Sequence, residues 1–426
     1  METFLIGLGV LLLALLGAPL FSIIGAIAVF SFHAAEIDSS AVMVELYRIA
    51  TNPTLLAIPL FTFAGYVLAE SKTSVRLVNL SRALFGWIPG GLAVVVLLTC
   101  AVFTAFTGAS GVTIVALGGL LYPILTKERY PERFSLGLIT TSGSLGLLFP
   151  PSLPLILYAL VAKLSIDKLF VAGIMPGILL VGILGIYGIY QGKRHRVPTT
   201  PFNWGNLRTA ARGALWEIPL PFLVIGGIYS GLFTATEAAA VTAFYVVVVE
   251  FFVYRDLNIF RDLPRVMKES MVLVGAILMI LGAAMGLTNY LIDEEVPMKL
   301  FEFTQTFIED PIWFLVVLNI FLILVGMMMD IFSAIIVVVP LIVPIALAYG
   351  IDPVHLGIIF LANLEIGYLT PPVGLNLFIS SMRFDKPVFT VVRSTLPYIG
   401  MLFVALLIIT YIPELSLWLV DLLGVN

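Results

Sequence analysis

Long runs of apolar residues are the feature that most constrains the fold of this chain. Residues 4–32, 170–190 and 312–329 contain no charged side chain. At about 1.5 Å per residue, helices of this length cross most or all of a hydrocarbon layer about 30 Å thick. Charged residues make up only 11% of the 426 residues, against about 25% in ordinary soluble domains. A soluble fold could not bury so much apolar surface, so we predict an all-α polytopic protein embedded in a lipid bilayer.

Charge and cysteine content exclude several other classes of protein. The net charge is −4 with no basic stripe, so nucleic acid is not an expected partner. Cys100 is the single cysteine, which argues against a disulfide framework and against a cysteine-based metal site. Neither a metalloprotease HExxH motif nor a nucleotide-binding loop occurs, so we expect no ATP-driven pump and no organic cofactor. We interpret the N-terminal apolar run as a first membrane helix, because it lacks a basic segment and a cleavage site.

Basic residues gather in a few loops, and this predicts the sidedness of the protein. Residues 193–212 carry five Lys or Arg and no acidic residue, whereas residues 293–310 carry six acidic residues and one lysine. The positive-inside rule places the first loop in the cytoplasm and the second outside. In residues 74–84, apolar residues at 75, 77, 78, 80 and 84 are interspersed with Arg76, Asn79 and Arg82, as expected of an amphipathic helix on the cytoplasmic surface.

If the loops are assigned by the positive-inside rule, two apolar regions begin and end on the same side of the membrane. They are residues 91–126 and 312–347, and polar residues interrupt them at 107–111 and 330–333. The arms of the first region have about 16 residues, or about 24 Å, which is short of a full crossing. We therefore predict two re-entrant helical hairpins. A pair of short, tilted spans in each region remains the alternative.

The two halves of the chain match at an offset of 221 residues. The only Pro-Pro dipeptides, at 150–151 and 371–372, are separated by this offset, as are Gly146 and Gly367. Tandem prolines remove backbone donors and clash with the preceding turn, so a helix must unwind there. We predict that each half contains a broken helix in addition to its hairpin.

The domain organisation follows from this repeat. We predict a first repeat over 1–190, a cytoplasmic loop and linking span over 191–234, and a second repeat over 235–426. The broken helices are expected at about 136–162 and about 356–381. The extra span inverts the second repeat relative to the first, and inverted repeats with discontinuous helices are typical of secondary transporters.

The hairpin tips and helix breaks supply the candidate site residues. Unwound carbonyls, hydroxyls and amide oxygens suit a hard cation such as sodium, and helix N-termini attract a carboxylate. The predicted sodium ligands, forming one site per repeat, are Ser110, Ser142, Ser144, Gly146, Asp330, Ser333, Asn363, Gly367 and Thr370. The predicted substrate-binding residues are Thr107, Gly108, Gly111, Ser152, Gly374 and Asn376.

Several of these residues could instead have purely structural roles, as helix caps or as hydroxyls bonded to their own helix. Hydroxyls near helix breaks often bond to the preceding turn of their own helix, and Asp330 is equally suited to cap a helix. Glu237 follows Thr234 at capping-box spacing, which favours a cap over a transport role. Glu365 is ambiguous, because an ionised carboxylate in a membrane is costly and often functional.

An intramembrane serine protease is a remote alternative. Residues 108–111 match the short GxSG pattern of rhomboid-type proteases. A serine nucleophile also needs a general base within hydrogen-bond reach, and no histidine lies in the middle of a predicted span. We therefore do not expect an enzyme.

At these motifs the sequence resembles the large, DctM-like membrane subunit of the tripartite ATP-independent periplasmic (TRAP) transporters. The resemblance covers essentially the whole chain and is most specific at 107–111, 146–152, 233–240 and 367–376. It implies a sodium-coupled elevator in the bacterial inner membrane that carries an organic acid, such as a C4-dicarboxylate or sialic acid. It also implies two partners, a small DctQ-like membrane subunit and a DctP-like periplasmic binding protein. A stand-alone sodium/anion symporter of the same superfamily is the alternative.

Overall fold

Helices form all the regular secondary structure in the described part of the chain. The computed structural model describes Gly9, Leu12, Leu13 and residues 16–424. Within these residues, eight helices are long and apolar enough to cross a membrane, and a pair bent by 44° adds a ninth. The prediction of an all-α polytopic membrane protein is therefore confirmed.

Four helices begin the described chain. They are α1 (Leu20–Ala34), α2 (Ser40–Ala50), α3 (Ala57–Glu70) and α4 (Thr73–Phe85). The sequence predicts one continuous helix over 4–32, but α1 begins only at Leu20, because Gly17 has a φ of +80° and Pro19 precedes the helix. The rest of that predicted helix falls largely outside the described residues. The predicted amphipathic helix over 74–84 corresponds to α4.

The next elements are a helix pair and a broken helix. They are α5 (Gly91–Thr107), α6 (Ser110–Lys127), α7 (Glu132–Ser142), a 3₁₀ turn (Leu145–Leu148), α8 (Leu153–Ala162) and the long α9 (Ile166–Arg194). The tip between α5 and α6 lies where the sequence predicts it, since Gly108 adopts a φ of +65° that ends α5. The broken helix starts earlier than predicted, because Pro131 directly precedes its first residue.

Five helices follow α9 and lead to the second helix pair. They are α10 (Trp204–Gly213), α11 (Pro219–Tyr229), α12 (Ala235–Val247, continued by a π-helical turn Val248–Val253), α13 (Asp262–Asp293) and α14 (Val296–Phe307). The sequence predicts a linking span within 191–234, whereas α11 has 11 residues and measures only about 16 Å. Pro219 sets its start, and Gly231, with a φ of +72°, follows its end.

The second half repeats the order of a helix pair followed by a broken helix. Its elements are α15 (Pro311–Met328), α16 (Ile331–Ala348), α17 (Pro353–Gly367), α18 (Leu375–Phe384), α19 (Val388–Tyr411) and α20 (Glu414–Leu423). The interruptions after Met328 and Gly367 lie where the sequence predicts them.

The arms of the first helix pair are slightly longer than the about 16 residues expected from the sequence. Helix α5 has 17 residues, and α6, α15 and α16 have 18 each. Helices α6, α15 and α16 are long enough to count as full spans by length and composition. Arm length therefore does not separate re-entrant hairpins from tilted spans, and re-entry stays a prediction.

The second arm of each helix pair packs on the broken helix of the other half. Helix α6 packs on α18, and α16 packs on α8. The first arms stay within their own half, where α5 packs on the 3₁₀ turn and α15 packs on α17. The two tips and the two breaks therefore belong to one intertwined unit, which positions the candidate site.

Candidate functional site

The first helix tip meets the second break through a direct hydrogen bond. The hydroxyl of Ser110, the first residue of α6, donates to Oδ1 of Asn376 in α18 at 2.7 Å. The Asn376 amide nitrogen donates in turn to the backbone carbonyl of Thr140 in α7 at 3.4 Å. Ser110 is 3% exposed and Asn376 is fully buried. Two predicted site residues from opposite ends of the chain therefore share one buried polar contact.

Two polar residues beside this contact, Thr140 and Ser380, were missed by the sequence reasoning. The Thr140 hydroxyl donates to the Ser380 hydroxyl at 2.9 Å. A β carbon at Gly111 would lie 2.6 Å from Cδ1 of Ile379, so glycine permits the close approach of α6 and α18. The spacing of Asn376 and Ser380, one helical turn apart on one face, is the signal that could have identified this polar face.

The first break is held against the first helix pair. The Thr104 hydroxyl donates to the carbonyl of Gly143 at 2.9 Å and lies 2.7 Å from the Thr113 hydroxyl. A β carbon at Gly146 would clash with the backbone carbonyl oxygen of Ala101. Gly146, a predicted sodium-site residue, is therefore a position where only glycine fits.

The second break is held against the second helix pair in a similar way. A β carbon at Gly367 would lie 2.5 Å from the carbonyl carbon of Gly326 in α15. The backbone N–H of Ile331 donates to the Tyr368 hydroxyl at 2.6 Å, and the N–H of Gly374 donates to the Met327 carbonyl at 3.2 Å. The structure thus places the Gly367 and Gly374 regions directly against the second tip.

Several predicted ligands bond to their own helix. The hydroxyls of Ser142, Ser144 and Thr370 donate to backbone carbonyls three or four residues earlier, at 2.8–3.2 Å. Back-bonding, the competing role for these hydroxyls, is therefore present. Each hydroxyl keeps lone pairs that can coordinate a cation, so the ligand role of these residues stays a prediction.

The second tip carries a helix cap. Oδ1 of Asp330 accepts hydrogen bonds from the backbone N–H groups of Phe332 and Ser333 at 3.0 and 3.1 Å, and the Ser333 hydroxyl donates to Oδ2. The capping role of Asp330 is confirmed, while its role as an ion ligand stays a prediction. The capping box of Thr234 and Glu237 at the start of α12 is confirmed as well.

The side chain of Asn363 lies away from the second tip and contacts the middle of α15. Its Nδ2 donates to Oδ1 of Asn319 at 2.7 Å and to the Ile359 carbonyl at 2.8 Å. Asn319 lies in the middle of α15, well before the tip. Both hydrogens of the Asn363 amide nitrogen are therefore used in hydrogen bonds, and only the amide oxygen remains to bind a cation.

Buried oxygens without hydrogen-bond partners gather near both breaks. Among the described residues they include Oγ1 of Thr107 and Thr141, Oγ of Ser152, Oδ1 of Asn363 and both carboxyl oxygens of Glu365. Leaving such a group unpaired costs about 1–3 kcal/mol, and a hard cation supplies the missing partner. The described residues contain no group of three or more His, Cys, Asp and Glu that could hold a metal. A cation bound here would therefore rely largely on neutral oxygens.

A cavity of about 610 Å³ reaches the first tip from the side of the basic loops. Gly111 and Ile379 line its inner end. Glu70, Glu269 and Arg383 line it as well. The Arg383 side chain lies against α6, because its Nε donates a hydrogen bond to the Val115 carbonyl at 2.9 Å. The cavity therefore lies beside the residue that follows Ser110, and its charged lining comes from Glu70, Glu269 and Arg383.

Comparisons with known proteins decide the family. The family model of the DctM component of tripartite ATP-independent periplasmic transporters matches residues 7–415. The chain belongs to this TRAP transporter family. A C4-dicarboxylate TRAP transporter large permease protein from Pseudomonas aeruginosa is 38% identical over 403 residues, which cover 94% of each chain. An ectoine/5-hydroxyectoine TRAP large permease protein from Ruegeria pomeroyi is 33% identical, covering 97% of this chain and 98% of that one.

Two further comparisons bear on assembly and fold. An isethionate TRAP permease protein DctMQ from Oleidesulfovibrio alaskensis is 34% identical, covering 85% of this chain and 58% of that longer protein. The YdaH transporter of Alcanivorax borkumensis matches the fold with a TM-score of 0.61 at 13% identity, covering 90% and 88% of the two chains. That match concerns the fold alone.

Family membership settles the general class of the protein. It is a transporter permease of the bacterial inner membrane with several membrane spans, and it is not an enzyme. The protease alternative is therefore wrong. The Ser110 hydroxyl donates to an asparagine, and His355 contacts Ser416 and the Thr410 carbonyl instead.

The sequence reasoning missed an ionic cluster on the surface helix of this TRAP permease. Arg76 in α4 forms ion pairs with Glu217, Glu250 and Asp256, and its guanidinium carbon lies 3.8 Å from the centre of the Tyr254 ring. Burial alone would lower the pKa of Arg76, but the hydrogen bond to Asp256 and the charges of both glutamates raise it. Arg76 therefore stays charged and joins α4 to Glu217, just before α11, and to the end of α12.

Glu250 is the member of this cluster that could have been singled out from the sequence. It is fully buried in the π-helical turn that continues α12. A single carboxylate in a long apolar run is the kind of residue for which a buried partner is expected. The sequence does not reveal the partner, because Arg76 lies 174 positions earlier.

Proposed function

We propose that this chain performs sodium-coupled uptake of a carboxylate across the bacterial inner membrane, as the transport subunit of a three-component system. The observation that carries the proposal is the buried contact between Ser110 and Asn376, which joins the first tip to the second break beside a cavity. The helices α6 and α18 both begin at this point. Their N-terminal N–H groups suit the anionic end of an organic acid.

The proposed architecture is a pair of inverted repeats with re-entrant hairpins that moves as an elevator, in which one unit carries the substrate across. The second arm of each helix pair packs on the broken helix of the other half, α6 on α18 and α16 on α8. This reciprocal packing supports a two-fold relation between the halves. The glycine contacts support it too, because Gly146 approaches Ala105 and Gly367 approaches Gly326. Both members of each contact differ by the same offset of 221 residues.

Sodium is the proposed coupling ion. Unpartnered oxygens lie in both halves, on Thr107 and Thr141 in the first and on Asn363 in the second, which supports one sodium site per repeat. Sodium would draw each tip onto its broken helix and so complete the anion site. Sodium can promote substrate binding in this way only if it binds more tightly when the tips lie on the broken helices than when they lie apart.

The proposed partners are a small DctQ-like membrane subunit and a DctP-like periplasmic binding protein. The relative with a fused DctMQ name supports the first of these. The names of other relatives cover C4-dicarboxylates and ectoine, so the carboxylate carried by this chain is proposed only as a class.

Reconstitution tests the three-component proposal. We expect this chain alone in liposomes to take up little succinate in a sodium gradient, because substrate delivery and the complete scaffold depend on the partners. Adding the small membrane subunit and the loaded binding protein should produce uptake, measured with radiolabelled succinate. Robust uptake of free succinate by the isolated chain would favour the stand-alone symporter instead.

Cysteine labelling tests the sidedness. In a Cys100→Ala background, Asn203→Cys and Thr304→Cys should differ in their reaction with a membrane-impermeant thiol reagent added to intact cells. Only Thr304→Cys should react, because the acidic loop is expected outside. Permeabilised cells provide the control in which both should react. Labelling of Asn203→Cys alone in intact cells would reverse the sidedness, and labelling of both variants there would contradict the inversion.

A further inference from the structure

A second cavity, of about 430 Å³, lies away from both tips. Its polar lining consists of Arg48, Asn52 and Lys163. The remaining lining residues are apolar and are Leu55, Leu160, Leu281 and Met285. Because Leu281 and Met285 belong to the half of α13 that ends at Asp293, the cavity lies on the side of the acidic loop.

The walls of this cavity come from separate parts of the fold. Arg48 lies in α2, which packs on α13. Lys163 directly follows α8, the second half of the first broken helix. The cavity therefore lies between the α2–α13 region and the unit that carries the tips and breaks.

The polar groups in the cavity are donors with a net positive charge. Arg48 lies 2.8 Å from Glu45, but its side chain is still 58% exposed, so part of the guanidinium can bind another group. Lys163 is exposed and forms no ion pair with any residue that the structure describes. Oδ1 of Asn52 accepts from the N–H of Thr54 at 3.0 Å, which leaves its amide nitrogen to donate.

The backbone of Lys163 is unusual for a lysine. It has φ 57° and ψ 43° at the C-terminal cap of α8, in the left-handed region. Glycine is the residue most favoured at such a cap, because it has no β carbon. Replacing Lys163 by glycine would therefore remove the charge without adding backbone strain.

We propose that this cavity is an anion-binding vestibule that receives the carboxylate of the substrate before it reaches the Ser110 region. The inference rests on the proposed function and sidedness. Arg48 presents a planar fork suited to a carboxylate, and Lys163 adds a point charge. The leucine side chains accommodate a short carbon chain. A basic cleft also raises the local concentration of anions and so their rate of entry.

Thiol labelling tests the anion preference without requiring transport. The reporter is Leu55→Cys in a Cys100→Ala chain, assembled with its partners in phosphatidylcholine liposomes. An anionic methanethiosulfonate (sulfonatoethyl) and a cationic one (trimethylammonioethyl) are compared. We expect the ratio of anionic to cationic labelling rates to fall about 10-fold or more when Arg48→Gln and Lys163→Gln are added, since each removes a nearby charge. An unchanged ratio would overturn the proposal.

Competition identifies the source of the anion. Succinate should slow labelling of Leu55→Cys in the chain with Arg48 and Lys163 intact, and should have no effect after both are neutralised. The measurement is repeated in liposomes that contain phosphatidylglycerol. Protection by this lipid and none by succinate would assign the cavity to a lipid headgroup and overturn the substrate role.

A matched pair of variants at one position tests the effect on uptake. Lys163→Gly removes the charge and also relieves the left-handed backbone, so it should not lower the melting temperature. It should raise the KM for succinate uptake about fivefold with an unchanged maximal rate, whereas Lys163→Arg should retain the original KM. An unchanged KM in Lys163→Gly contradicts the vestibule. Absence of uptake by the unaltered complex across a set of carboxylates that includes succinate would instead contradict the proposed function, and the labelling ratio would still report on the cavity.

Discussion

Gly367→Ala is expected to destabilise this permease by more than about 3 kcal/mol in the free energy of unfolding. The added β carbon would lie 2.5 Å from the carbonyl carbon and 2.6 Å from the Cα of Gly326. Both contacts are backbone atoms that no rotamer change can move away. Helices α15 and α17 would therefore have to separate. Thermal unfolding of the detergent-solubilised chain measures the effect.

A glycine in open space provides the control for this prediction. A β carbon at Gly275 in α13 would meet no atom within 4 Å. Gly275→Ala should therefore be neutral or stabilise by up to about 1 kcal/mol, the usual gain of alanine over glycine within a helix. Equal melting temperatures for Gly367→Ala and Gly275→Ala would mean that α15 and α17 do not approach as closely as described.

Arg76→Ala is expected to cost about 3–5 kcal/mol, because it leaves buried carboxylates without their counter-charge. Glu217 and Glu250 are 4% and 0% exposed, and both pair with Arg76. Unfolding of the solubilised chain, followed by tryptophan fluorescence or circular dichroism, measures the loss. Adding Glu250→Gln to Arg76→Ala should recover part of it, because the unpaired charge is then removed.

Another arginine of the same helix serves as the control. Arg82 pairs with Glu128 at 3.0 Å, but their side chains are 41% and 28% exposed. Solvent screens such a pair, so Arg82→Ala should cost no more than about 1 kcal/mol. Similar losses in the two variants would contradict the buried character of the Arg76 cluster.

The sequence predicts the helix interruptions well because they depend on local chemistry. Proline removes a backbone donor and glycine permits a left-handed turn. The α5–α6 tip at Gly108 and the end of α17 before Pro371 therefore lie at their predicted positions. Capping depends on equally short-range contacts, which is why the roles of Asp330 and Glu237 could be anticipated.

The partners of the site residues could not be predicted in this way. Ser110 and Asn376 are 266 positions apart, and their contact depends on how α6 packs on α18. Apolar periodicity gives no pairing between helices in a chain that is apolar on nearly all sides. For the same reason the sequence does not reveal that the amide nitrogen of Asn363 contacts Asn319 in the middle of α15.

Coupling of substrate uptake to sodium is the central claim, and uptake by the reconstituted three-component system tests it most directly. Succinate uptake is measured with an inward sodium gradient and, separately, with an inward proton gradient in sodium-free buffer. We expect uptake only with sodium and a Hill coefficient above one, because each repeat is proposed to bind an ion. Asn363→Ala should raise the sodium concentration for half-maximal uptake, with a loss of about 1–3 kcal/mol if its buried oxygen is a ligand. Unchanged uptake in sodium-free buffer, driven by the proton gradient alone, would contradict both sodium sites.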